Sequence, residues 1–179
     1  AWCLSSDLYK KYHDEEWGVP VYDDAKLFEF LILETFQAGL SWITILNKRE
    51  NFRKAFDDFD YLKVSKYDES KIQELLLDAG IIRNKLKVYS AVSNAQAFIK
   101  VQEEFGSFSN YIWKFTDGKS IKNHPKTLKD VPATTPLSDA ISKDLKKRGF
   151  KFVGSTVVYA HMQATGMIND HVENCWIRN

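Results

Sequence analysis

Apolar residues along this chain return every three or four positions rather than every two, and the eight glycines and four prolines sit between the periodic stretches. This spacing gives each segment one apolar stripe and predicts an all-α fold. Asp23 and Asp24 can cap a helix from about Ala25 to Ala38, and Lys48 to Phe56 reads as another. Ser65 or Asp68 caps a segment through Leu77 that stops at Gly80. Further helices are predicted from Asn84 to Phe105 with Gly106 as the stop, from Phe108 to Phe115, from Ser138 to Lys147, and from Ser155 to Thr165 with Gly166 as the stop. Residues 116–136, rich in Pro, Thr and Lys, read as an exposed connection. The first 22 residues and the tail from Met167 show little periodicity, so something other than a core stripe must order them.

A chain of 179 residues with 44% hydrophobic and 27% charged residues fits one unit, residues 1–179, built as a single domain or as two small lobes sharing a core. The longest apolar run is four residues, as in Phe30 to Leu33, far short of the roughly 20 that span a bilayer. A membrane partner is therefore not expected. Two cysteines make at most one disulfide and no leader-like stretch is present, so a cytoplasmic monomer is the expectation. A first residue of Ala rather than Met points to a trimmed N-terminus.

The net charge of +1 conceals an uneven distribution. Residues 1–40 hold eight acids and three bases. Residues 81–102 carry Arg83, Lys85, Lys87 and Lys100 without an acid, and residues 143–151 hold five bases against Asp144. Such stretches read either as a basic face for nucleic acid or as solvated helix surfaces.

Four constellations have chemical content. Lys147 to Gly154 is a glycine-bounded basic turn between two predicted helices. In a helix-hairpin-helix, Gly149, Phe150, Lys151 and Gly154 would offer backbone N–H groups and charge to a DNA phosphate; an ordinary interhelical turn looks similar. Glu34 shares a stripe with Leu27, Leu31 and Ala38, so it is either a buried carboxyl with a raised pKa or a residue at the stripe's edge reaching solvent. Trp2, Tyr9, Tyr12 and Trp17, with Trp42 beyond Gly39 and Leu40, either line a flat cavity that stacks a base or pin the N-terminal segment. His13, with the His-x3-Cys pair His171 and Cys175, offers three zinc ligands from the two chain ends; accidental spacing is the alternative. His124 and His161 read as structural or solvated.

Six strings in order, Tyr12-His-Asp-Glu-Glu-Trp-Gly-Val-Pro20, Gln37-Ala-Gly-Leu-Ser-Trp-Ile43, Lys48-Arg-Glu-Asn51, Asp78-Ala-Gly-Ile-Ile-Arg83, Leu145 to Gly154 and Asn169-Asp-His171, resemble the 3-methyladenine DNA glycosylase I family over nearly the whole chain. The resemblance implies a helix-hairpin-helix glycosylase fold, a structural zinc joining the chain ends, and hydrolytic release of 3-methyladenine from alkylated double-stranded DNA. Carried over by residue, Glu34 matches the pocket carboxylate, Tyr12 and Trp42 the base-contacting aromatics, and Trp2 a further pocket aromatic. Gly39 and Leu40 match the tip that fills the gap left by the extruded nucleotide, and His13, His171 and Cys175 match three zinc ligands. The family's fourth ligand, a Cys two positions before the Trp aligned with Trp2, falls upstream of Ala1, with Cys3 as the alternative. No lysine follows Lys151, so no amine nucleophile for strand cleavage is expected, and Asp170 is read as supporting. A catalytically silent DNA-binding module and a zinc-dependent nucleoside hydrolase are the rival functions.

Overall fold

The computed structural model describes residues 2–178. Its helices are α1 (Asp7–Glu15), α2 (Asp24–Gln37), α3 (Trp42–Asn47), α4 (Arg49–Ala55), α5 (Tyr61–Val64), α6 (Glu69–Leu77), α7 (Lys85–Phe105), α8 (Phe108–Trp113), α9 (Pro136–Lys147) and α10 (Ser155–Ala164). The only strands among the described residues are the two-residue β1 (Ile121–Lys122) and β2 (Ile168–Asn169), which pair in parallel. The mostly helical architecture agrees with the periodicity. Among the described residues no helix is long and apolar enough to cross a membrane.

Side chains at the helix starts explain most of the boundaries. Asp23 accepts from the N–H of Lys26 to cap α2, Asp68 rather than Ser65 caps α6, and Asn84 caps α7. Asp24 works elsewhere: its carboxylate accepts from the N–H groups of Phe108 and Ser109 and from Gln102, tying the start of α2 to α8. Helix α9 begins at Pro136, two residues before the predicted start, because Thr135 and Ser138 form a reciprocal capping box and Pro136 suits the first turn.

The structure adds three short helices that the periodicity does not announce, α1, α3 and α5. The N-terminal segment contains α1, capped by Ser6. Its nine residues bury only Tyr12 and His13, too few to produce a stripe. Helices α3 and α5 were likewise too short to be legible.

Helix α2 is the centre of the molecule. Every residue from Leu27 to Phe36 is buried, with α7, α8, α3 and α10 packed around it. A helix covered on all sides has no rim along which a polar side chain can reach water. Its two central carboxylates therefore depend on their neighbours.

The N-terminal segment is held against the end of α10. Gly18 N–H donates to Gln163 O at 2.9 Å, and Val21 N–H to Thr165 O at 2.8 Å. The crossing requires Gly166: its φ is +73°, and a Cβ there would lie 2.3 Å from the backbone of Val19 and Pro20. This contact closes α1 over α2 and α10.

Candidate active site

Where α1, α2, α3 and α10 meet there is a cavity of about 230 Å3, lined by Trp2, Tyr9, Tyr12, Trp17, Glu34, Gln37, Trp42, Ala160 and Gln163. Each of the five aromatic residues that the sequence offered for a base-stacking cavity lies on this wall, together with Glu34. Tyr12 and Trp42 stand with ring centroids 5.4 Å apart and planes inclined by 47°, and Trp2 packs on Tyr9 at 4.7 Å and on Trp17 at 5.3 Å. The aromatics both pin the segment and form the cavity, so the two sequence alternatives coexist.

Glu29 and Glu34 lie five residues apart on α2, both buried, and have opposite electrostatics. Burial raises the carboxyl pKa of Glu29, but hydrogen bonds from Arg53 (2.5 Å) and Arg49 (3.2 Å) outweigh it and hold it below the usual carboxylate range. Among the described residues Glu34 has no cation beside it, and burial pushes its pKa up to about 8. It is therefore mostly neutral at pH 7. Its Oε2 and the indole Nε1 of Trp42 are buried without a hydrogen-bond partner among the described residues. An unsatisfied buried acceptor and donor cost roughly 1–3 kcal/mol each, which a polar ligand entering the cavity can recover. Burial also lifts the Tyr12 phenol well above its ordinary value, with the charge of Glu34 adding to the effect, so it stays protonated.

Gln37, Ala160 and Gln163 were not identified as wall residues from the sequence. Gln37 belongs to one of the six strings, but nothing indicated which face of α10 would meet α2. The Nε2 of Gln163 donates to Asp170 at 2.9 Å, and Asp170, 1% exposed, also accepts from Asn123 at 2.8 Å and from the Tyr159 hydroxyl. A carboxylate only accepts, so this bond fixes the orientation of the Gln163 amide.

At the end of α2 the chain turns through Gly39, with φ +81° and no atom within 4 Å of a hypothetical Cβ, and presents Leu40 at 37% exposure. Gln37 ties the turn, accepting from Leu40 N–H at 2.7 Å and donating its side-chain amide to Leu40 O at 3.0 Å.

The basic stretches separate into surface and internal groups. Arg83, Lys85 and Lys100 are exposed, whereas Lys87 is buried and donates to the carbonyls of Phe36 and Ala38. Arg148 pairs with Asp144 and Glu104 and lies over Phe105 and Tyr111, so its charge is largely compensated.

In the turn between α9 and α10, Gly149 has φ +93° and Phe150 is a buried core side chain. The N–H groups of Gly149 and Phe150 donate to Lys146 O and Leu145 O, and that of Lys151 to Asn94 at 2.8 Å. These positions shape and anchor the turn, so their N–H groups are not free for an anion. The free donors lie one step further on: Gly154 caps α10 without a side chain, and the N–H groups of Ser155, Thr156 and Val157 have no protein acceptor among the described residues. The side chain of Lys151 is exposed.

At the chain ends, the donor atoms of His13, His171 and Cys175 lie within 4.8 Å of one another, and all three residues are buried. His13 Nδ1 is 2.8 Å from Asp14 Oδ1 and His171 Nδ1 is 2.8 Å from Asn169 Oδ1, so both Nε2 atoms belong to the cluster, that of His171 also lying 3.4 Å from His13 O. His13 Nε2 sits 3.6 Å from Cys175 Sγ. Two imidazoles with one nitrogen held by an oxygen and the other facing a thiol form a donor set suited to a metal ion. The cluster lines a second cavity, separate from the one around Glu34, and Cys3 is buried on its wall, but the Cys3 sulfur is not one of the clustered donors. Of the other histidines, His161 is buried with Nε2 3.1 Å from Leu27 O, and burial holds its pKa down at about 4; His124 is exposed beside Arg178.

Comparison with known proteins gives a consistent result. The family model described as methyladenine glycosylase matches residues 2–179. The chain is 47% identical to DNA-3-methyladenine glycosylase 1 of Escherichia coli (strain K12) over 175 residues, covering 98% of this chain and 94% of the relative. It is 44% identical to the DNA-3-methyladenine glycosylase of Haemophilus influenzae (strain ATCC 51907 / DSM 11121 / KW20 / Rd) over 174 residues, covering 97% and 94%. Among solved structures, one addressing 3-methyladenine recognition by the Staphylococcus aureus 3-methyladenine DNA glycosylase I superposes with a TM-score of 0.97 at 35% identity, covering all of this chain and 95% of the other.

Proposed function

The chain belongs to the methyladenine glycosylase family, and from that premise we propose that it is a monofunctional DNA glycosylase acting in base excision repair: it hydrolyses the N-glycosidic bond of N3-methyladenine in alkylated duplex DNA and leaves free base and an abasic site. The observation that supports this reading most strongly is Glu34, a neutral carboxyl with an unpaired oxygen in a cavity walled by aromatic rings.

N3-alkylation makes the adenine of the nucleotide cationic and a good leaving group, so little acid catalysis is required. Selectivity then rests on binding. The rings of Tyr12, Trp42, Trp2, Tyr9 and Trp17 favour an electron-poor ring over a neutral one, and Glu34 accepts from its polar N–H edge. A cation entering the cavity draws Glu34 toward the carboxylate, so the charge that burial suppresses in the free protein is restored by the substrate. The C1′–N bond breaks with its electron pair leaving on the base as neutral 3-methyladenine, and water adds to C1′ and releases one proton to solvent.

Extruding the nucleotide costs a few kcal/mol, which Leu40 at the Gly39 turn offsets by filling the gap. The α10 N-terminus and Lys151 hold the neighbouring phosphate, with Gly149, Phe150 and Gly154 giving the turn its shape.

The clustered donors fit zinc. His13, His171 and Cys175 supply three ligands, and Cys3, the other thiol of the chain, lines the same cavity. An ion held by residues from both chain ends would be structural and would join those ends. The enzyme acts as a single unit and as a cytoplasmic monomer.

The test is to incubate the protein with alkylated duplex DNA, with and without a chelator, and to analyse the released bases. Free 3-methyladenine in both arms, while the protein stays folded, is the expected result. DNA binding without base release would indicate a silent binding module, and activity on free nucleosides that the chelator abolishes would indicate a metallohydrolase.

A further inference from the structure

Lys87 is a buried cation with no carboxylate partner among the described residues; the residue is 7% exposed and its ammonium donates to two carbonyls, Phe36 O at 2.9 Å and Ala38 O at 2.8 Å. Burial pulls the ammonium pKa below the usual lysine value. Those carbonyls belong to the last turn of α2, where intrahelical donors run out and the macrodipole leaves about half a negative charge. Immediately beyond lie Gly39 and Leu40. No residue continues the helix to satisfy Phe36 and Ala38, so a group from another helix, the first turn of α7, does so across 49 and 51 residues of sequence.

We propose that Lys87 is a positioning residue for nucleotide extrusion: it locks the Gln37–Ser41 turn in the form that projects Leu40, and it neutralises the negative end of α2 where that end must approach the DNA backbone. The inference rests on the glycosylase reading of Leu40. Two separate effects follow from one ammonium. Gln37 ties the turn from within, Ser41 joins it to Thr44 of α3, and Lys87 ties it to α7; loss of the tie to α7 leaves Gly39 free to move Leu40 away from the duplex. An uncompensated helix C-terminus beside phosphates adds repulsion that grows as salt is lowered. Lys87 does not line the cavity that holds Glu34, so affinity for free base should not depend on it.

The test compares Lys87→Met, Lys87→Arg and Leu40→Ala, alone and as the Lys87→Met/Leu40→Ala double variant. Readouts are single-turnover excision from alkylated duplex DNA, fluorescence of a 2-aminopurine placed beside the lesion as a report of extrusion, and binding of free 3-methyladenine. Lys87→Met is expected to lower excision and the extrusion signal by roughly ten- to hundredfold, the size of a lost charge-assisted hydrogen bond, with free-base affinity unchanged. Lys87→Arg should recover much of the loss, and at salt high enough to screen the helix-end repulsion Lys87→Met should cost little on the Leu40→Ala background because the remaining effect acts through Leu40. Additive losses in the double variant, or a parallel fall in free-base affinity, would overturn the assignment by showing a general structural effect. Wild-type excision with no change in Lys87→Met overturns this inference alone, whereas no excision by the wild type rejects the glycosylase reading itself. Should Lys87→Met fail to fold, Lys87→Gln is put through the same cycle and decides by the same outcomes.

Discussion

Trp17 meets the imidazole of His171 edge-on, with centroids 4.7 Å apart and planes at 72°, while the same indole forms part of the wall around Glu34. Trp2 repeats the relationship against His13 at 5.2 Å and 74°. The donor cluster and the aromatic cavity therefore share a wall two rings thick. Whatever fixes the two histidines also fixes two of the five aromatic faces.

Removing the metal from the zinc-loaded protein is accordingly expected to lower Tm by several degrees, at roughly 2–4 °C per kcal/mol for a chain of this length. It should also weaken binding of free 3-methyladenine in the fraction that remains folded. Calorimetry and tryptophan quenching check the two effects separately. An unchanged Tm after complete chelation would show that the cluster holds no structural ion.

Glu34 makes stability depend on pH in a defined direction. Its pKa is about 8 in the folded protein against an ordinary carboxyl value of 4.5, so between those values the folded state retains a proton that the unfolded chain has lost. Stability contributed by the neutral carboxyl is full below about 4.5 and declines by up to about 1.4 kcal/mol per pH unit as pH rises toward 8, then levels off. Glu34→Gln removes this slope. The variant should gain stability over the wild type as pH rises from 5 to 8, while excision and free-base affinity fall. Parallel stability curves across that range would mean that Glu34 is already ionised.

Gly166→Ala should destabilise the protein by roughly 3 kcal/mol, since a methyl at φ +73° would strike the Val19–Pro20 backbone. Gly39→Ala, also at positive φ but with open space around it, should cost only about 1 kcal/mol of backbone strain. Denaturant melts of the two variants give the comparison, and equal losses would refute the close-approach argument.

Lys151→Ala should weaken binding to all duplex sequences alike and reduce the salt-dependence slope by about one. Fluorescence anisotropy at several salt concentrations measures it; a sequence-selective loss would point to base contact instead.

No borohydride-stable protein–DNA adduct is expected with alkylated duplex. The chain has no lysine after Lys151, and α10 opens with Ser155, Thr156 and Val157. Electrophoresis after trapping tests this, and a shifted band would reveal an amine nucleophile.

By itself the sequence determined the long helices and their caps. Asp23, Asp68 and Asn84 act within three residues of where they stand, and a period of 3.6 is a local property. Six ordered strings also carried the family, and with it the identities of Glu34, Tyr12, Trp42 and the clustered His13, His171 and Cys175. Only the tertiary structure decided whether Glu34 reaches solvent, because that depends on α2 being covered on every side by helices distant in sequence. For the same reason Glu29 and Glu34, alike in the sequence, separate only once Arg49 and Arg53 reach one while, among the described residues, no cation reaches the other. Lys87 and Arg148 read in the sequence as surface charge, for DNA or for solvent, yet packing turned one inward to cap α2 and paired the other with Asp144 and Glu104. Gln163 joined the cavity because of the face α10 presents after Gly166 lets the N-terminal segment cross it. A charge or an amide takes its role from what stands within about 3 Å, and long-range packing is what brings those partners together.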